Sequence, residues 1–506
     1  MTIHIQGETT PEIRRAGARE WAALAVLMLP VLMVSVDNTV LSFALPSISV
    51  DLRPSGTQLL WIVDVYAIML AGLLIAMGSI GDRVGRRRLL LVGSIGFGAA
   101  SLLAAYSSSP EMLLSARAML GFFGAMLMPS TLSIIRNVFV AQQDRRIAIA
   151  TWAAMFSGGA ALGPILGGWL LAHFSWHSVF WINIPIVLAL LPLALVLLPE
   201  SRNPNPGPLD VPSIGLSLLT MFPLVYAIKH GVKAGLDDAT LIAVATAVLA
   251  GWALIHRLRV SAHPMIDLAL FRNRVFSGAI VANLLSLMAL TGFLFLGAQL
   301  LQLVLGLSPM NAALVLLPGL VVTVVAGFVA VRLMQRFPVH ILVAGSFAAS
   351  AVGYAVMALI GSPTALSVGL AFALMGVGIG LAETITNDLM LSAVPPSRAG
   401  AAAAISETAY EIGAVLGTAV LGTTLTAVYR EQLTVPAVMQ WGEENGSFET
   451  LGGTMEFASR YPNELGDQVI ASAHHAFDLG VQTTSALAIA IALGAAVISW
   501  RTLKDA

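Results

Sequence analysis

Fourteen long apolar runs constrain this chain more than any other feature of its sequence. A bilayer core of about 30 Å is crossed by roughly 20 apolar residues of helix. Of the 506 residues, 57% are hydrophobic and only 10% are charged, whereas soluble domains carry about 25% charged residues. The sequence therefore predicts an all-α polytopic membrane protein, with spans at about 21–48, 57–80, 88–107, 111–137, 146–173, 178–199, 211–231, 238–257, 274–304, 309–334, 339–361, 363–392, 398–428 and 476–500.

The positive charges predict the orientation of these spans. All but six of the 26 Lys and Arg residues fall on the termini and the even-numbered turns. We assign Arg53, Lys229, Lys233, Arg430 and Arg460 to odd-numbered turns, and Arg117 to the interior of a span. By the positive-inside rule, both termini should be cytoplasmic. The first apolar run is too long for a signal-peptide core, so the first helix should remain attached.

Two breaks in the apolar pattern predict a division into six, two and six spans. "PESRNPNPGPLDVP" follows the sixth span, and the basic "HRLRVSAHPMIDLALFRNR" follows the eighth. We expect a cytoplasmic tail at 1–20, an N-terminal six-helix bundle at 21–199, a linker with two extra transmembrane helices and a basic interfacial segment at 200–273, a C-terminal six-helix bundle at 274–500, and a cytoplasmic tail at 501–506. The acidic stretch 429–475 should face outside and can pack as a partly ordered cap.

The turn "GSIGDRVGRRR" concentrates charge between the second and third spans. Its glycines, Gly78, Gly81 and Gly85, permit a tight reversal with close helix approach, and Asp82 can face the positive N-terminal end of another helix. The basic residues of the turn are Arg83, Arg86, Arg87 and Arg88. An alternative is that these arginines only set topology, which leaves Asp82 unexplained.

The fifth span carries glycines at four-residue intervals. Gly159, Gly163 and Gly167 therefore share one helix face, while Pro164 removes a backbone hydrogen bond and bends the helix. Gly168 follows directly. We expect close packing with a hinge, although a glycine face alone is common in membrane bundles.

Ionisable side chains inside the spans should line a wet central cavity, because each would cost about 2.5 to 3.5 kcal/mol near the bilayer centre. The sequence places seven there: Asp37, Asp64, Arg117, Glu383, Asp388, Glu407 and Glu411. Asp37 and Arg117 both fall in the outer half of their spans and could pair. The alternative to a functional pair is a purely structural one. Asp388 is a minor candidate, since it lies near the cytoplasmic end of its span.

Carboxylates beside aromatic residues indicate a site for an organic cation, which is attracted by charge and by aromatic faces. Glu383 and Glu407 should lie about 14 Å above the same cytoplasmic turn, at 1.5 Å per residue. Glu407 and Glu411 are four residues apart, with Tyr410 adjacent. A second pair is Asp64 and Trp61, one helical turn apart. Alternatively, one or more of these acids is protonated and hydrogen-bonded within the bundle.

Several of these motifs resemble those of a known transporter family. The turn "GSIGDRVGRRR" is similar to the cytoplasmic signature of the major facilitator superfamily, and "GAALGPILGG" resembles the fifth-span motif of its antiporter branch. "VDNTVLSFALP" is similar to the first-span motif of the fourteen-span drug:proton antiporters. "WIVDVYAIMLAG" and "SETAYEIG" resemble the exporters of quaternary ammonium compounds, dyes and fluoroquinolones. The resemblance covers about residues 21 to 500.

This resemblance implies a fold, a mechanism and residue roles. The fold would be two six-helix bundles plus two extra central helices, and the mechanism would be alternating access with proton coupling at Asp37 and Arg117. Asp82 would latch the inner gate against the helix beginning near Arg398. The expected partners are lipophilic, mainly cationic small molecules, protons and the lipid bilayer, with no nucleic acid, and the chain should act as a monomer in the plasma (bacterial inner) membrane.

The energy source follows from motifs that the sequence lacks. None of its three lysines lies in a Walker A phosphate loop, so an ion gradient should drive transport. The chain also has no cysteine, metal-ligand cluster, nucleophile elbow or dinucleotide fingerprint, so we expect neither catalysis nor a cofactor. Export of an endogenous lipid or metabolite, a non-transporting membrane sensor and an intramembrane enzyme remain alternatives.

Overall fold

The computed structural model describes residues 15–202, 209–261, 264, 266–360, 363–394, 399–436, 447–461 and 464–504. Within these ranges the α-helices are α1 (Ala18–Asp51), α2 (Gly56–Val84), α3 (Arg86–Ala105), α4 (Pro110–Val138), α5 (Gln142–His173), α6 (Ser178–Trp181), α7 (Asn183–Leu197), α8 (Val211–Ala234), α9 (Asp238–Val260), α10 (Arg274–Gln299), α11 (Pro309–Leu333), α12 (Val339–Leu359), α13 (Ala365–Ser392), α14 (Ala399–Leu416), α15 (Thr423–Gln432), α16 (Leu451–Ser459) and α17 (Glu464–Thr502). Arg398, the expected start of the latch partner, lies outside the described residues, as do parts of both tails and of the 429–475 segment.

In the part of the chain that the structure describes, fourteen helical segments are long and apolar enough to cross a membrane, which confirms the predicted number of spans and the all-α class. The sixth span combines α6 and α7. The ninth continues from α10 into a π-helical segment, Leu300–Val304, and the thirteenth joins α14 and α15 through a second π-helical segment, Gly417–Gly422. Because fourteen spans alternate in direction, both ends of the chain lie at one face, named here the terminal face. The opposite face, which carries α16, is named the cap face.

The spans pack as two groups with an inserted pair. In the first group α1 contacts α5 and α7, and α4 contacts α2 and α3; in the second, α13 contacts α10, α11 and α12, and α12 contacts α17. The inserted helices α8 and α9 pack on each other, and α8 also contacts α2 and α15. The two groups meet through α2 with α14 and through α5 with α11.

The glycine face of α5 packs directly on α1. A Cβ atom on Gly167 would lie 2.9 Å from Val40 Cγ2, and one on Gly163 would collide with the Thr39 hydroxyl. Gly159 faces α1 in the same way. α5 continues through Pro164 to His173. The absence of side chains on this face therefore allows the two helix backbones to approach closely.

The next glycine of α5 belongs to a different interface. A Cβ atom on Gly168 would lie 3.0 Å from Ala313 Cβ at the start of α11. Gly168 therefore permits close contact between the two groups of helices near the cap face.

The described part of the 429–475 segment forms a cap over the ends of α1 and α2. Arg53 Nη2 lies 2.6 Å from Glu456 Oε1 of α16. The backbone N–H of Gly56 donates to Glu449 Oε2 at 2.9 Å. Because this segment connects α15 to α17, it joins the second group of helices to the first at the cap face.

Candidate functional site

A buried arginine and aspartate pair between α4 and α1, within the first group of helices. Arg117 Nη1 is 2.6 Å from Asp37 Oδ2, and their side chains are 2% and 1% exposed. Arg117 Nε donates to the Ile62 carbonyl at 3.2 Å, and the guanidinium carbon lies 4.3 Å from the centroid of the Tyr66 ring. These three groups, one on α1 and two on α2, surround the guanidinium that α4 carries. We name Asp37, Arg117 and Tyr66 the arginine node.

Glu411 of α14 reaches α1 beside this node. Its side chain is buried, and Oε1 accepts from Asn38 Nδ2 at 3.4 Å, one residue from Asp37. Among the described residues, its other oxygen has no hydrogen-bond partner, and the same holds for Asp37 Oδ1. Glu411 therefore places a carboxylate of the second group of helices near the arginine node.

Two further acids belong to the same region as Tyr410. Glu407 and Glu411 stand three residues before and one residue after Tyr410 on α14, and α13, which carries Glu383, packs against α14. Glu383 Oε1 is buried without a hydrogen-bond partner in the described part of the chain. The Tyr410 ring meets Phe156 of α5 edge to face at a centroid distance of 5.6 Å. We name Glu383, Glu407, Tyr410 and Glu411 the carboxylate cluster.

Asp388, the minor candidate, lies apart from this cluster. It is exposed and stands five residues after Glu383 on α13, toward the terminal face. The structure thus separates exposed Asp388 from half-buried Glu383, the other acid of the same helix.

Asp64 has a separate partner, Lys229 of the inserted helix α8. Lys229 Nζ lies 2.7 Å from Asp64 Oδ2, and both side chains are 1% exposed. The same ammonium lies 4.5 Å from the centroid of the Trp61 ring. The Thr418 hydroxyl, in the π-helical segment Gly417–Gly422, donates to Asp64 Oδ1. We name Asp64, Lys229, Trp61 and Thr418 the lysine node.

The assignment of Lys229 to an odd-numbered turn is therefore wrong. Lys229 is buried within α8, inside the span Val211–Gly231. Counting positive charges assumes that a lysine near the end of a span reaches water, but here a buried carboxylate compensates the ammonium instead. The sequence did carry a signal, because Lys229 falls inside the predicted seventh span and Asp64 needed a partner.

The predicted recognition residues are thus divided between two places. Glu411 and Thr418 are seven residues apart along the thirteenth span, which corresponds to about 10 Å. Asp64 and Trp61 contact the cation of Lys229, whereas Glu407 and Glu411 flank Tyr410 along α14 and Glu383 lies on the neighbouring α13. The four acids that the sequence grouped together therefore do not share one set of neighbours.

The charged turn between α2 and α3 is held by contacts within the first group of helices. Asp82 Oδ1 accepts from Arg86 Nη2 at 2.7 Å and from Arg86 Nε at 3.0 Å. Glu200 Oε1, just after α7, accepts from the backbone N–H of Arg87 at 3.2 Å. Gly85 adopts φ of 114°, which favours glycine and permits the reversal. The latch against the helix beginning near Arg398 stays a prediction.

The fold and buried charges define a class of polytopic transporter, and comparison with known proteins names its family. Residues 27–418 match the family model of the Major Facilitator Superfamily. The chain belongs to this superfamily, as the sequence motifs predicted.

Similar proteins include two named bacterial relatives. The chain is 49% identical over 492 residues to the multidrug efflux pump LfrA of Mycolicibacterium smegmatis, covering 97% of this chain and 98% of the relative. It is 35% identical over 492 residues to the methyl viologen resistance protein SmvA of Salmonella typhimurium, covering 96% and 99%. Both relatives align over nearly their whole lengths, so the similarity includes the inserted helices.

Solved structures support the fold independently. A bacterial homologue of the human lysosomal transporter Spinster, in an inward-facing and unoccupied conformation, superposes with a TM-score of 0.67 at 16% sequence identity, over 97% of this chain and 98% of that one. At this identity the likeness concerns the fold alone.

Proposed function

We propose that this protein is a proton-coupled secondary exporter of lipophilic, mainly cationic compounds, working by alternating access. The observation that carries the proposal is the buried position of Glu411, a member of the carboxylate cluster, beside the arginine node. Asp37 and Asn38 are adjacent on α1, and Asn38 donates to Glu411 on α14. Carboxylates of both groups of helices therefore lie close together inside the bundle, as exchange between protons and a cation requires.

Proton coupling is assigned to Asp37 and Arg117. A carboxylate held by an arginine is stabilised in its charged form, and proton uptake by Asp37 would weaken that ion pair. Arg117 Nη1 and Asp37 Oδ2 are 2.6 Å apart, and both side chains are buried. The protonated and deprotonated forms of Asp37 therefore differ in whether this buried pair carries one charge or two opposite charges. Such a site can make the arrangement of α1 and α4 depend on protonation.

Cation recognition is assigned to Asp64, Trp61 and the carboxylate cluster of Glu383, Glu407, Tyr410 and Glu411. An organic cation that leaves water needs compensating negative charge and gains from aromatic faces. Phe156 on Tyr410 and Phe222 stacked on Trp61 extend both aromatic surfaces. The relatives' names agree with this class, because methyl viologen is an aromatic dication and LfrA is a multidrug pump.

Gating is assigned to the glycine face of α5 and the turn after α2. Gly159, Gly163, Pro164, Gly167 and Gly168 would form the hinge, and Gly78, Asp82, Arg83, Gly85, Arg86 and Arg87 the gate. Residues 21–199 and 274–500 would rock as two bundles, with 200–273 between them. The terminal face would be cytoplasmic, in a bacterial inner membrane, and the chain would function as a monomer.

Proteoliposomes with an imposed pH gradient test this function. We expect uphill movement of ethidium and methyl viologen, accompanied by proton movement in the opposite direction that begins only when substrate is added. Asp388→Asn is the matched control, since it removes an intramembrane acid that lies outside both nodes. Uphill transport that persists after the proton gradient is collapsed would contradict proton coupling, and absence of cation transport would contradict the proposed function.

A further inference from the structure

The lysine node has the composition of a binding site for an organic cation, and the chain itself fills that site. The Lys229 ammonium contacts the Asp64 carboxylate and the Trp61 indole face, and the Thr418 hydroxyl donates to the same carboxylate. Trp61 is held by Phe222, whose ring stacks on it at a centroid distance of 6.1 Å with an interplanar angle of 13°. A flat monocation could use the same carboxylate and the same aromatic face.

We infer that Lys229 is a tethered cation, which occupies the cation site at Asp64 until a substrate cation displaces it. The inference rests on the proposed function and extends it to the inserted helix α8. Leaving either charge of a buried ion pair without its partner is strongly unfavourable. Exchange of one cation for another keeps Asp64 compensated, which a neutral compound cannot do, while the displaced Lys229 ammonium must leave the buried site on its flexible stem to regain water.

The positions of the three elements favour such an exchange. Asp64 belongs to α2, Lys229 to α8 and Thr418 to a π-helical segment of the thirteenth span. π-Helical segments are frequent at functional sites. The ammonium of a lysine sits on a flexible four-carbon stem, so it can leave Asp64 without movement of the whole helix. Displacement of Lys229 would also release a contact between α2 and α8.

A double-mutant cycle tests the inference through binding. Lys229→Gln should bind ethidium about tenfold more tightly than the unmodified protein. The apparent affinity of a site equals its intrinsic affinity multiplied by the fraction of molecules in which the site is vacant, and Lys229 keeps that fraction low. Asp64→Asn should bind ethidium more weakly, and the double variant should resemble Asp64→Asn. The affinity for the neutral dye Nile red should not change in any of them. Ethidium binding by folded Lys229→Gln that is no tighter than in the unmodified protein would overturn the inference.

A second measurement covers the case in which Lys229→Gln does not fold. The chain has three lysines, Lys229, Lys233 and Lys504. In the double variant Lys233→Arg with Lys504→Arg, Lys229 is the only remaining lysine. Acetylation of Lys229 by an amine-reactive ester is followed by mass spectrometry. Its rate should increase at least about fivefold when ethidium saturates the protein, because ethidium at Asp64 raises the fraction of molecules in which Lys229 is released. An unchanged or slower rate at saturation would overturn the inference.

The two proposals can fail separately. If the unmodified protein neither binds nor transports ethidium, the proposed function is wrong. If it does both, but the ethidium affinity of Lys229→Gln or the acetylation rate does not rise, only the tethered cation is wrong.

Discussion

The arginine node and the lysine node are both buried ion pairs beside an aromatic ring, but they differ in what they join. Asp37 and Arg117 belong to α1 and α4, within the first group of helices. Asp64 contacts Lys229 of the inserted pair and Thr418 of the second group. Relative movement of the two groups can leave the arginine node intact, whereas it must strain or break the lysine node.

The two cations also differ in the number of contacts that they make. The arginine contacts a carboxylate, a backbone carbonyl and a ring, using the several donors of its planar group. The lysine is a single point charge with one carboxylate and one ring. A cation with many fixed contacts suits a permanent element, and a cation with few contacts on a flexible stem suits one that is exchanged.

The largest effect is expected at the arginine node. Asp37→Asn should abolish uphill efflux and the substrate-induced proton signal, because the node then lacks the carboxyl group that takes up and releases the proton. It also leaves Arg117 buried without its carboxylate, and breaking a buried pair costs about 3–5 kcal/mol of folding stability. Thermal unfolding in detergent and transport in proteoliposomes measure the two losses.

Asp37→Glu is the control for this change, since it keeps the charge and should retain part of the coupling. Full proton-coupled transport by Asp37→Asn would remove the arginine node from the coupling step, and Glu407 would be the next candidate.

The next largest effect concerns substrate charge. Replacing Asp64, Glu383, Glu407 or Glu411 singly by its amide should weaken binding of methyl viologen by about tenfold or more, of ethidium less, and of Nile red little, because neutral ligands need no compensating charge. Equilibrium binding at fixed pH measures all three affinities. Asp388→Asn should leave them unchanged. Equal losses for charged and neutral ligands would indicate structural damage instead.

A smaller effect is expected from a packing change on α5 that lies near the arginine node and away from the lysine node. Gly163→Ala puts a methyl group against Thr39, two residues from Asp37, and should cost about 1–3 kcal/mol through overpacking. The proton signal should weaken more than ethidium affinity, since the lysine node lies elsewhere. Gly158→Ala is the matched control, because a Cβ atom there meets no described atom within 4 Å. Equal thermal stability of the two variants would refute the packing role of Gly163.

The smallest effect is expected for the partly exposed pair outside both nodes. Asp82 and Arg86 are 35% and 19% exposed. If Asp82 also latches a helix N-terminus, Asp82→Asn should remove about 0.3 to 1 kcal/mol and reduce the transport rate, while insertion and thermal stability stay nearly normal. Initial rates of ethidium efflux measure this. A rate equal to that of the unmodified protein would leave the arginines of the turn with a topological role only.

Local sequence patterns were sufficient for the spans, the glycine face and the position of the acids. Each span is encoded by a continuous apolar run, and the four-residue glycine spacing fixes a face of α5 before any partner is known. Asp37 and Arg117 could be matched because both lie at similar depth in one half of the chain. The motif in "GSIGDRVGRRR" also indicated the superfamily, which residues 27–418 match.

Long-range packing decided which charges meet, and the sequence could not. Lys229 and Asp64 are 165 positions apart in the numbering, on helices whose contact depends on where the inserted pair docks. Residues on a span have known depth and helical face, but nothing local specifies which helix stands opposite. The sequence by itself therefore determined how many times the chain crosses the membrane and where its charges lie in depth. Only the tertiary structure decided that α8 lies against α2, so that a lysine rather than water compensates Asp64.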